Sequence, residues 1–197
     1  MSHVSQQVVA PFVRGRHLTQ RALSIESCPF RRRRIKHRPR AGVGDRKFSY
    51  KGYRYVEVAG VDHEIGITGL VFHNDIRRTG VFSCSNPLFN QIHGLVTPTI
   101  LNNFHSIPTD TPTYEKRGWT GDAQIFCPTA SYLFDYLPFA EKYLNDVYDW
   151  QKKNGCLPQI APEGGTDFYM RAMNGSVGWA DAGVLMPYVL WKQYEDT

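Results

Sequence analysis

Three carboxylates, Asp110, Glu115 and Asp122, lie in one proline-stiffened stretch with Lys116, Arg117 and Trp119 between them. Acids set this close repel one another, and ordering them is costly unless a ligand or a cation compensates. The residue types suit glycoside hydrolysis. One carboxylic acid protonates the leaving oxygen, the others hold sugar hydroxyls by charge-assisted hydrogen bonds, and an aromatic face packs on the ring. Plainer roles exist for the same residues. Asp110 can cap the Thr111–Pro112 turn, Asp122 can cap the helix that follows, and Arg117 can make an ordinary loop ion pair. Trp179 can belong to the core. His105 suits a hydrogen bond at a helix end, and Glu163 and Asp167 suit either a pocket rim or a solvated loop.

The charge balance separates this stretch from a basic N-terminal segment. The chain carries +5 overall. Residues 1–46 hold eleven Lys/Arg against Glu26 and Asp45, a net of +9, so the rest carries −4. Basicity therefore belongs to a terminal arm with the run Arg31–Arg34, Lys36, Arg38 and Arg40, expected to be disordered and solvated. Nucleic acid is not an expected partner. Cys28, Cys84, Cys127 and Cys156 form no C-x-x-C pair and have no His partners at zinc spacing, so free thiols and no metal are expected. No apolar run approaches the ~18 residues of a membrane span, and no secretory leader stands out, which favours the cytoplasm.

The elements that must position the carboxylates follow in three segments. Residues 1–45 are the arm. Residues 46–83 alternate as β: Phe48–Tyr50, Tyr53–Val58, Ile65–Phe72 and a closing Gly80–Phe82, too few strands for a core of their own. Residues 84–197 are helical with long loops. Ser85-Asn86-Pro87 predicts a capped start for a helix carrying Leu88, Phe89, Ile92, Leu95, Val96 and Ile100 on one face. A loop follows over about 105–120, then helices at 121–134, 138–153 and 177–195, with a glycine-rich loop at 155–175. Helix pairs joined by long loops suggest an α/α toroid with its chemistry gathered at one end. The last helix is followed by no closing element, so the chain is expected to be a truncated piece, poorly soluble and inactive alone.

The string Pro108-Thr-Asp110-x-Pro-x-x-Glu115-x-Arg117-Gly-Trp119-Thr-Gly-Asp122-Ala-Gln124 resembles the signature of bacterial-type α-L-rhamnosidases with a six-hairpin (α/α)6 barrel. Phe48-x-Tyr50-x-Gly52-x-Arg54-Tyr55-Val56-Glu57-Val58 resembles the strand pair before that barrel. Phe82-x-Cys84-Ser85-Asn86-x-Leu88-Phe89-Asn90 resembles the lead-in to its first helix, and Gly178-Trp179-Ala180-Asp181-Ala182 a later loop-to-helix motif. The likeness covers about residues 47–197.

The resemblance implies a mainly α fold: a partial (α/α)6 toroid preceded by a few antiparallel strands and the basic arm. It implies an inverting hydrolase that releases terminal α-L-rhamnose from rhamnosides without a cofactor. Glu115 matches the general acid, and Asp110 and Asp122 match acids that bind rhamnose hydroxyls. Trp119 and Trp179 match pocket aromatics, Asp181 an acid beside them, and Arg117 an arginine that orients the loop carboxylates. The family's general base, a late glutamate, has no counterpart in this chain. A sugar-binding fragment without turnover, and another (α/α)6 glycosidase, are the alternatives.

Overall fold

The computed structural model describes residues 71–165 and 168–195, together with Tyr50 and the strands β1 (Val8–Val9), β2 (Pro11–Arg14), β3 (Gly52–Tyr53) and β4 (Gly66–Gly69). The helices are α1 (Pro87–Leu101), α2 (Thr120–Leu133), α3 (Leu137–Asp149), α4 (Phe168–Ala172) and α5 (Ala182–Tyr194). Two compact units result, Met1–Phe72 with Pro112–Tyr114, and His73–Thr111 with Glu115–Thr197.

In the first unit β1 pairs antiparallel with β3, and β2 with β4, in the register Pro11↔Gly69 to Arg14↔Gly66. Residues 8–14, read from composition as part of a disordered arm, thus include paired strands. Residues 8–14 are apolar up to Arg14, but a reading by the net charge of the whole arm passes over so short a stretch. The arginine run at 31–40 lies outside the described residues. So do residues 54–58, most of the second expected strand.

The second unit starts at His73. Gly80–Phe82 is not a strand. Thr79 and Gly80 donate backbone N–H groups to Leu133 O at the end of α2, and Arg78 bridges to Phe134. The segment therefore spends its hydrogen bonds on closing a helix terminus.

α1 starts where the sequence predicts. The Asn86 side chain accepts from Leu88 N at 2.9 Å, and Pro87 occupies the first turn, where its missing N–H costs nothing. α3 ends at Asp149 rather than 153, because Lys152–Cys156 folds into its own turn around Gly155 (φ +88°). α5 begins at Ala182 rather than 177. Gly178 has φ +86° and its N–H goes to the Asp181 carboxylate, so 176–181 is a turn. α4 lies inside the segment expected to be only loop, with Lys152 Nζ donating to its Arg171 carbonyl at 2.7 Å.

α5 packs against both α2 and α3. The core is an aromatic cluster beneath them. Phe104 stacks on Phe139 at 4.3 Å and on Tyr136 at 5.6 Å, and Cys127, Ala130, Tyr143, Val147 and Met186 are fully buried around it. Each large ring buried there stabilises the unit by about 1.5–3 kcal/mol relative to exposure. Cys84, Cys127 and Cys156 are free thiols. Among the described residues no helix is long and apolar enough to cross a membrane.

Candidate active site

The carboxylates sit where the core hands over to α2. Phe104, wholly buried at the end of α1, fixes the start of the loop, and Thr109 N donates to Asn103 O at 2.7 Å. The loop then closes on itself through Asp110 N to Arg117 O at 2.8 Å. Thr111 (φ +42°) and Lys116 (φ +55°) adopt left-handed backbone there, unusual for residues with a Cβ. These constraints fold the chain back and set Glu115 beside Asp110.

Past Glu115 the loop is tied down from below. Tyr143 OH donates to Gly118 O at 2.8 Å, and Ala161 N donates to the same carbonyl at 2.9 Å. A Cβ at Gly118 would stand 2.2 Å from Ala161 O, so no larger residue fits. Thr120, fully buried, opens α2 with its N–H on Gln159 O and its hydroxyl reaching Pro158 O and Gln159 O.

The structure brings Asp110 and Asp122 to one pocket of about 200 Å³. The end of α1 supplies Thr99 and Ile100 to its wall, the turn after it Asn103, and α2 supplies Phe126. Glu115 does not line this pocket. It is exposed and accepts from Trp119 Nε1 at 3.3 Å. Its carboxyl is pushed above the usual glutamate range, first by a hydrogen bond with Asp110, then by partial burial and the Asp110 charge. The Trp119 bond and the Arg117 charge pull the other way. The rise expected from crowding is present, but Asp110 supplies it rather than Asp122. Asp122 is also raised, first by burial and then by Asp110. It stands in the first turn of α2, whose N-cap is Trp119, so Asp122 is not itself the cap.

Thr111 Oγ1 donates to Asp110 Oδ2 at 2.9 Å, so Asp110 serves both its turn and Glu115. Trp179 is 40% exposed and thus not core. Its ring lies on Gly121, where an added Cβ would be 2.9 Å from Cδ1 and Nε1. Asp181 holds the Trp179 turn by accepting from Gly178 N at 2.8 Å through one carboxylate oxygen. Glu163 forms an ion pair with Arg171, and Asp167 lies outside the described residues. Sequence reasoning passed over Gln159 and Thr120. Neither carries a charge or motif signal, and their roles depend on a contact 39 residues apart.

A family model for the bacterial alpha-L-rhamnosidase 6 hairpin glycosidase domain matches residues 77–197. The chain belongs to this family. An alpha-L-rhamnosidase of Streptomyces avermitilis is 38% identical over 154 residues, which are 76% of this chain and 14% of that protein. One from Formosa agariphila is 36% identical, covering 75% of this chain and 16% of the relative. The chain thus spans about one sixth or less of the length of these two relatives. The crystal structure of the Streptomyces avermitilis rhamnosidase complexed with L-rhamnose superposes with a TM-score of 0.82 at 29% identity, over 98% of this chain and 20% of that one. The native Aspergillus terreus rhamnosidase gives 0.76 at 29% identity, over 98% and 25%. These matches establish the six-hairpin glycosidase fold expected from the 105–122 motif.

Proposed function

We propose that this chain carries the acid side of a rhamnoside-hydrolysing site, with Glu115 as general acid and Asp110 and Asp122 as ligands for the sugar hydroxyls. The observation that carries the reading is the Asp110–Glu115 hydrogen bond, which favours the protonated form of an otherwise exposed glutamic acid. A general acid must hold its proton to deliver it, and a raised carboxyl does so over a wider pH range than an unperturbed one. In the step itself Glu115 gives its proton to the glycosidic oxygen as the bond to the anomeric carbon breaks, and the free aglycone leaves neutral. The Arg117 charge opposes the rise and favours the carboxylate that remains once the proton has gone. Trp119 and Trp179 offer indole faces to the apolar side of the ring. Inversion then requires water activated by a base roughly 6.5–9.5 Å from the acid. No residue of this chain is assigned to that step.

The experiment is hydrolysis of two rhamnosides by wild type and Glu115→Gln, one with an activated aryl leaving group and one with an alkyl alcohol. Loss of turnover on the alkyl rhamnoside with survival on the aryl one supports the acid. Equal loss on both rejects it. The alternative reading is sugar binding without turnover. Saturable L-rhamnose binding with no hydrolysis of either substrate would select it.

A further inference from the structure

Gln159 is 3% exposed and bonded on both sides. Its carbonyl accepts from Thr120 N at 2.9 Å and Thr120 Oγ1 at 3.0 Å, fixing the start of α2 and with it Trp119 and Asp122. Ile160 and Ala161 extend the seam through the Trp119↔Ile160 bridge and the Gly118 O bond. The side chain faces the other way. Its amide Nε2 donates to Met173 O at 2.7 Å and to Ser176 Oγ, while its backbone N–H goes to Asn174 Oδ1 at 3.2 Å. Ser176 O in turn accepts from Trp179 N and Ala180 N. A single buried amide thus spans the interval between the acid loop and the turn that carries Trp179.

We propose that Gln159 is a positioning residue that sets Trp179 against the N-terminus of α2, and so fixes the distance between the two aromatic walls of the sugar site. The last clause rests on the proposed function; the coupling itself does not. The geometry allows the two ends to be cut separately. Replacing the side chain leaves the carbonyl bonds to Thr120 intact, so the acid loop keeps its anchor while the 173–179 turn loses the amide bonds to Met173 O and Ser176 Oγ. What remains on that turn is the Gln159 N–H bond to Asn174, the Gly175 N bond to Leu157 O, the Asp181 and Gln124 bonds to Gly178 and the seat over Gly121, none of which reaches Met173 O or the Ser176 hydroxyl. Leucine matches the shape of glutamine without the donor, leaving Met173 O to Ser176 alone.

The test uses the full chain and ¹H–¹⁵N indole resonances, assigned by single Trp→Phe substitutions. Gln159→Leu should move the Trp179 indole signal and leave those of Trp150 and Trp191 in place. L-rhamnose titration supplies a second arm. Gln159→Leu should raise Kd about tenfold in the wild-type background and less than about twofold on top of Trp179→Phe, since coupled neighbours are not additive. A merely structural loss would weaken binding equally in both backgrounds and would overturn the proposal, as would an unmoved Trp179 signal. If Gln159→Leu does not fold, Ser176→Ala removes the far acceptor from a half-exposed site and should shift the same indole in the same selective way. A chain that does not bind L-rhamnose sinks the sugar-site reading, while the indole shift still decides the coupling.

Discussion

Gly121→Ala is the smallest change that should disturb the site without touching a functional group. The new Cβ would lie 2.9 Å from Trp179 Cδ1 and Nε1 and 3.0 Å from Gly178 O. Ordinary carbon contacts lie at about 3.5–4.0 Å, so the ring must retreat by about 0.5–1 Å. It cannot do so freely, because Gly178 is held by Gln124 from one side and by Asp181 from the other. Overpacking of this kind costs about 1–3 kcal/mol, against up to about 1 kcal/mol gained from replacing a helical glycine. The net expectation is a loss of about 1 kcal/mol, or about 2–4 °C in Tm for a chain of this size. Gly94→Ala is the matched control. It lies within α1 and its Cβ would meet nothing within 4 Å, so it should gain about 0.5–1 kcal/mol. Urea unfolding of both variants, with near-UV circular dichroism for the indoles, is the assay. If Gly121→Ala is stabilised like Gly94→Ala and its indole spectrum is unchanged, the close approach of Trp179 to α2 is refuted.

Thr120→Val keeps shape but removes the hydroxyl bonds to Pro158 O and Gln159 O, and should cost about 1 kcal/mol in urea unfolding. Glu115 and Asp122 are both raised above their ordinary values of 4.5 and 3.8, so the folded chain holds their protons more tightly than the unfolded one. Their contribution to stability is therefore present below those values and lost as pH rises through the raised ones. The double variant Glu115→Gln, Asp122→Asn should flatten that part of the stability–pH curve, measured by urea midpoints across the acid range. Burial pushes the Cys127 thiol up to about 11, so it should resist iodoacetamide at pH 8 until the chain unfolds, as peptide mass mapping would record. Cys84 and Cys156, both half-buried, should react first.

What could be seen in the sequence was what local chemistry dictates. Asn86-Pro87 sets the start of α1 because the cap and the proline act within one turn. The 105–122 stretch is recognisable because its acids, prolines and Trp119 are dense and regularly placed. The ends of α3 and α5 were misjudged by four to five residues. There the deciding terms are a Lys152–Cys156 turn and an Asp181 bond to Gly178, and neither leaves a trace in apolar periodicity. The Val8–Arg14 strands escaped because pairing partners 43 to 58 residues away must be known first. Which acid raises Glu115 was equally invisible. Asp110 and Asp122 are similar neighbours by sequence and line the same pocket, and only the loop closure through Arg117 O sets Asp110 against Glu115 as well.

The most direct test of the account is L-rhamnose titration of the chain by isothermal calorimetry, in parallel with Asp110→Asn and Asp122→Asn and with D-galactose as the control sugar. Saturable binding of L-rhamnose over D-galactose, weakened at least about tenfold in both variants, is the result expected if these carboxylates hold sugar hydroxyls. Absence of binding, or binding that neither substitution changes, would contradict the assignment of this pocket to rhamnose.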